Sequence, residues 1–170
     1  VDQKNILKAI SDLSDIPERD IPVGVDGCGA PTFALPLKAM ALMFARLVSP
    51  GPDKGLAAAS GAIVQAMRAE PRMVAGEKEL DTELMEGYAL IAKSGAEGVF
   101  GGGILLSRDW PEGLGLMIKI EDGGSRPRKA IVLAALRQLG LPARDFEQPL
   151  RNHRGLTVGS IRATFKLETA

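Results

Sequence analysis

Apolar residues recur at helical spacing through the first half of the chain, then switch to alternation. Over residues 4–13 they fall at Ile6, Leu7, Ile10 and Leu13, one face of a helix. Pro17 and Pro22 in SDIPERDIPVG interrupt regular structure. Leu37, Met40, Ala41, Phe44, Leu47 and Val48 predict a second helix, with Pro36 at its first position, where a missing N–H is tolerated. A third helix, rich in small residues, is expected over 55–70 with Leu56, Ser60, Ile63 and Met67 on one side, stopped by Pro71. AGEKELDTELMEGYALIAK reads as a fourth. It would be capped near Asp81 or Thr82 and turn Leu84, Met85, Tyr88 and Ile91 inward.

Further on, the period drops to two. GLMIKIE puts Leu114, Leu116, Ile118 and Ile120 on one side of a half-buried strand. SIRATFKL does the same with Ile161, Ala163, Phe165 and Leu167. Residues 99–106 form another strand candidate, thinned by Gly101, Gly102 and Gly103, and SRDWPEG suits a hairpin loop after it. Between the last two strands, RKAIVLAALRQLG predicts a helix with Ile131, Val132, Ala135, Leu136 and Leu139 inward and Gly140 at its end. The expected fold is α+β: one domain over 1–170, an antiparallel sheet of about three strands packed with helices.

Composition narrows the function classes. Of 170 residues, 45% are apolar and 25% charged, as in ordinary soluble globular proteins. Lys+Arg and Asp+Glu both number 21, so charge offers no case for nucleic acid or an anionic membrane as partner. A single cysteine excludes an internal disulfide and points to a reducing, cytoplasmic setting. No apolar run approaches the roughly 20 residues of a membrane span. The start, VDQKNILKAI, lacks the basic and apolar regions of a signal peptide. It also lacks an initiator Met, so the chain is expected to be trimmed or part of something longer.

Two segments carry candidate chemistry. GVDGCGAPT holds the cysteine, Cys28, beside Asp26 in a glycine-rich turn. A thiolate there could serve as nucleophile or soft metal ligand, or the turn could bury an inert thiol. By itself one cysteine makes no zinc site. AKSGAEG, ending at Gly98, stands where the fourth helix is expected to give way to the first strand. Lys-Ser-Gly at the head of a sheet strand is one element of penicillin-binding and β-lactamase sites. Taken alone, a lysine near helix-end carbonyls is the simpler reading. EDGGSRPRK, with Glu121, Asp122, Arg126 and Arg128, reads as a solvated turn, and His153 is given no role. No Ser-x-x-Lys pair occurs.

Together, GVDGCGAPTFALPLKAMALMFARL, PRMVAGEKELDTELM, AKSGAEGVFG and LGLMIKIEDGGSRPRKAIV resemble, in order and spacing, the thermolabile, Rhizobium-type L-asparaginase II family, over about residues 24–162. The resemblance implies a serine β-lactamase/glutaminase-like fold and hydrolysis of the side-chain amide of L-asparagine to aspartate and ammonia. It implies Lys93 as a catalytic residue and Cys28 as one ligand of a zinc site, with no organic cofactor. Asp26, Ser94, Gly95 and Glu97 are expected to line the site. A lysine free in water keeps its proton up to about pH 10.4, so a base role calls for burial or a neighbouring cation. The glycines of GAEGVFGGG are expected to let substrate approach the strand backbone, whose N–H groups could hold an oxyanion. The family's nucleophilic serines and other metal ligands are expected upstream. On this reading the chain is the C-terminal half of a longer domain, inactive alone. Its small-residue helix GLAAASGAIVQAM would face the missing half or a homodimer partner. Two alternatives stay open: a non-catalytic binding or interaction module, and a β-lactamase or serine-peptidase relative.

Overall fold

The first three helices lie where the sequence spacing places them, although Leu37 and Ile63, counted in their apolar patterns, are exposed. In the computed structural model, which describes residues 3–168, α1 spans Gln3–Ser14, α2 Leu37–Val48 and α3 Lys54–Ala69. Pro36 stands just before the first turn of α2 rather than inside it. Asp53 caps α3 by accepting the Leu56 N–H at 2.8 Å. The proline-rich stretch after α1 is not wholly irregular. A 3₁₀ turn over Glu18–Asp20 leads into a hairpin of β1 (Val23–Val25) and β2 (Pro31–Phe33). Pro71 ends α3 and also opens a short helix α4, Pro71–Ala75.

The fourth predicted helix is cut short. α5 covers only Leu80–Gly87, Tyr88 is extended, and Leu90–Ser94 form strand β3. A buried run such as Leu90-Ile91-Ala92 fits either period, so distant contacts decide. Here Arg68 on α3 donates to the carbonyls of Met85 (2.6 Å), Tyr88 and Leu90 (3.2 Å), which holds the chain in its turn from helix to strand. Tyr88 and Ile91 are therefore not helix-face residues.

Strand β3 is the edge of a three-stranded sheet ordered β3–β4–β5, with β4 over Val99–Ile104 and β5 over Leu114–Lys119. Antiparallel pairing sets Ile91 opposite Gly103 and Lys93 opposite Gly101. A Cβ on Gly101 would lie 2.1 Å from Phe44 Cε2, one on Gly103 2.7 Å from Val48 Cγ1, and one on Gly115 1.7 Å from the Ala41 carbonyl oxygen. These glycines let α2 lie directly on the sheet. That corrects the expectation that Gly101 and Gly103 open the strand backbone to a substrate.

The last predicted strand does not join this sheet. β7 (Thr157–Ile161) pairs with β6 (Gln148–Arg151) in a separate hairpin. Beyond Ile161 the alternation continues without a strand partner. Ala163 and Phe165 are half-buried, whereas Leu167, expected inward, is exposed. The Gln138 side-chain amide takes the neighbour's place: it accepts the Leu167 N–H at 2.8 Å and donates to the Phe165 carbonyl at 3.3 Å.

Two compact units result. One holds α1–α5 and the sheet, through Ser94 and over Phe100–Ile118. Its buried core includes Leu84, Met85, Leu90, Ile91, Ala92, Phe100 and Ile104. The other holds Gly95–Val99 and the chain from Lys119 onward. It contains α6 (Arg128–Gln138), which buries Ala130, Val132, Leu133, Ala135 and Leu136. Ile131 and Leu139, expected inward, are only half-buried. Gly140, at φ 84°, ends the helix as expected. The architecture is α+β. Among the described residues no helix is long and apolar enough to cross a membrane.

Candidate active site

AKSGAEG is not a helix-to-strand junction: its first half is the end of β3 and the rest is the turn that follows. Lys93 and Ser94 are adjacent on a strand, so their side chains leave opposite faces. Lys93 is exposed, and its Nζ donates to the Ser94 carbonyl at 2.7 Å. Ser94 is half-buried. Its hydroxyl donates to Asp81 Oδ1 at 2.5 Å and its backbone N–H to Asp81 Oδ2 at 2.5 Å.

Asp81 lies in the first turn of α5 and is 2% exposed. A carboxylate taken out of water needs its lone pairs occupied, and Ser94 occupies both oxygens. The N-terminal turn of a helix also favours negative charge. Sequence reasoning marked Asp81 and Thr82 only as alternative caps. The helix begins after Glu79, which makes no side-chain cap bond. Asp81 instead reaches strand β3, and the Thr82 hydroxyl donates to the carbonyls of Gly76 (2.7 Å) and Pro71 (3.2 Å). A first-turn aspartate is so common that its spacing alone carried no sign of this contact.

The turn after Ser94 is built by backbone geometry. Gly95 N–H donates to the Val99 carbonyl at 2.9 Å, and Glu97 and Gly98 take left-handed conformations at φ 55° and 70°. A Cβ on Gly98 would lie 2.8 Å from Ile120 Cβ, so only glycine fits. Lys119 Nζ donates to the carbonyls of Glu97 and Ile120, and Arg128 Nη2 makes a long 3.4 Å bond to the Gly95 carbonyl. Gly95 and Glu97 are both exposed. Lys119 and Arg128 had no assigned part in this turn from sequence.

Asp26 and Cys28 occupy the β1–β2 turn. Asp26 Oδ1 accepts the N–H groups of Cys28 (2.8 Å) and Ala30 (3.1 Å), and Gly29 at φ 76° completes the reversal. Asp26 therefore shapes its own turn. Cys28 is exposed, which removes the buried-thiol alternative. Among the described residues no hydrogen bond or ion pair joins this turn to Lys93 or Ser94. Nor do any three His, Cys, Asp or Glu side chains gather there to hold a metal ion. The described residues do not fit a zinc site: Cys28 supplies one soft ligand and nothing beside it completes a set.

Asp122 and Arg126 form the turn expected of EDGGSRPRK. The Gly124 N–H (2.8 Å) and Arg126 (2.7 Å) bond the Asp122 carboxylate and hold it below the usual carboxyl range. A charged hollow of about 590 Å³, lined in part by Arg72, Glu77, Lys78 and Glu86, contains none of the predicted site residues. Residues 2–163 match the family described as L-asparaginase II. No curated protein matches the chain.

Proposed function

The chain belongs to the L-asparaginase II family, and from that premise we propose that the intact protein acts on the side-chain amide of L-asparagine, releasing L-aspartate and ammonia. The family indicates an asparaginase-type amidohydrolase. The observation that carries the finer reading is the Lys93–Ser94 pair ending an edge strand, with Ser94 fixed from behind by a buried carboxylate.

Amide hydrolysis forms a C–O bond, breaks a C–N bond and moves a proton from the attacking oxygen to the leaving nitrogen. Lys93 is the group assigned to that proton transfer and Ser94 a substrate contact. Lys93 is exposed rather than buried and leaves the strand on the face opposite Ser94, so a substrate that meets both lies across the free edge of β3. Gly95 and Glu97 follow in the adjoining turn. No residue of this chain is assigned as nucleophile, since it contains no Ser-x-x-Lys pair. No step is routed through a metal.

Ammonia release from asparagine by the intact protein and by its Lys93→Ala variant tests the reading. Loss of a positioned acid–base group lowers turnover by about a hundredfold or more. Unchanged release in Lys93→Ala would remove Lys93 from the mechanism. Glutamine and a chromogenic β-lactam serve as parallel substrates. Turnover of the β-lactam without asparagine would reassign the protein to the penicillin-interacting hydrolases. Asparagine binding without turnover of any substrate would make it a binding module.

A further inference from the structure

The asparaginase reading uses Lys93 and Ser94 but leaves Asp81 without a part. A serine hydroxyl has one donor hydrogen and two acceptor lone pairs. A carboxylate only accepts. With its hydrogen committed to Asp81 Oδ1, the Ser94 oxygen has only acceptor capacity left. The second bond, from Ser94 N–H to Oδ2, fixes the backbone at the same residue, so neither the hydroxyl nor its carrier can turn. Ser94 itself is half-buried.

We propose that Asp81 is a positioning residue that holds the Ser94 hydroxyl as an obligate acceptor for an N–H of the substrate. The ligand class this selects is an amino-acid amide, whose carboxamide and ammonium groups both offer N–H donors. A carboxylate offers none, so with the carboxamide as the donor the new carboxylate of the hydrolysed product gains nothing from Ser94. This rests on the asparaginase reading above.

The test is a double-mutant cycle with Asp81→Asn, Ser94→Ala and the double variant. Asparagine keeps the shape of Asp81 but turns one acceptor into an N–H₂ donor, which frees the serine hydrogen. Each single variant is expected to lower kcat/KM for L-asparagine about tenfold to a hundredfold, mainly through KM, the range for losing a hydrogen bond to a charged group. Because Asp81 acts through Ser94, the double variant should be no worse than Ser94→Ala. Losses that multiply, or wild-type kinetics in Asp81→Asn, overturn the proposal. Ser94→Ala strands one Asp81 oxygen but keeps the Ser94 N–H bond to the other, so it decides the case where Asp81→Asn does not fold; wild-type kinetics in Ser94→Ala also overturn it.

If folded wild type turns over no asparagine, the function fails first, and the Ser94 amide proton then decides the lock. Donation to a carboxylate places that resonance downfield. An upfield move in Asp81→Asn upholds the lock, and an unmoved resonance refutes it.

Discussion

Two regions of the molecule, the β1–β2 turn and the glycine-bearing sheet, each rest on an aspartate that accepts two hydrogen bonds, and they work in opposite ways. In the β1–β2 turn, Asp26 is exposed and takes N–H groups two and four residues away. At the sheet, Asp81 is buried and takes both donors of Ser94, 13 residues away. The glycines differ too. Gly27 has no heavy atom within 4 Å of where a Cβ would stand, whereas Gly115 would place one 1.7 Å from the Ala41 carbonyl oxygen. In the first region glycine and aspartate serve a local reversal that water could partly support. In the second they serve contacts between distant elements, for which water is no substitute.

The largest test of this contrast is a pair of glycine replacements. Gly115→Ala forces a methyl group into helix backbone, and overpacking of that kind costs about 3 kcal/mol or more. Gly27→Ala should stay within about 0.5 kcal/mol of wild type. Urea unfolding of both variants measures the difference, and equal midpoints would mean that α2 does not rest on the sheet at Gly115.

The aspartates give the next effect. Asp81→Ala strands two Ser94 donors without an acceptor, a loss of about 2 to 6 kcal/mol at roughly 1 to 3 per unsatisfied buried group. Asp26→Ala leaves exposed N–H groups to water and should cost about 1 kcal/mol or less. A larger loss at Asp26 than at Asp81 would reverse the comparison.

Cys28 gives the smallest. Cys28→Ser should leave stability within about 0.5 kcal/mol of wild type, as expected for an exposed position outside the core. The wild-type thiol should titrate with a thiol reagent before unfolding. A thiol that reacts only after denaturation would show that Cys28 is covered.

Legibility followed the range of the interactions. α1, α2, α3 and α6 were readable because helical spacing, Pro36, Pro71 and Gly140 act within a few residues of themselves. The apolar stretch at Leu90-Ile91-Ala92 suited both helix and strand, and Arg68, some 20 residues upstream, sits on the turn that separates them. SIRATFKL showed true alternation, but alternation does not name a partner. β7 lies earlier and pairs with β6, while a glutamine side chain holds the segment beyond it. In the candidate site, Lys93 and Ser94 stood out as a motif. Asp81 did not, because a first-turn aspartate has the same appearance whether it faces water or a strand.

By itself the sequence determined where the chain can coil, where it must turn, the α+β character and the segments that mark its family. Those properties depend on local backbone preference and on residue types in order. Only the tertiary structure decided that the glycines at 101, 103 and 115 serve a helix rather than a ligand, that residues 90–94 are a strand, and that Asp81 belongs to Ser94. Each of these is a contact between residues far apart in the chain. Burial makes such contacts strong, and no local pattern records them.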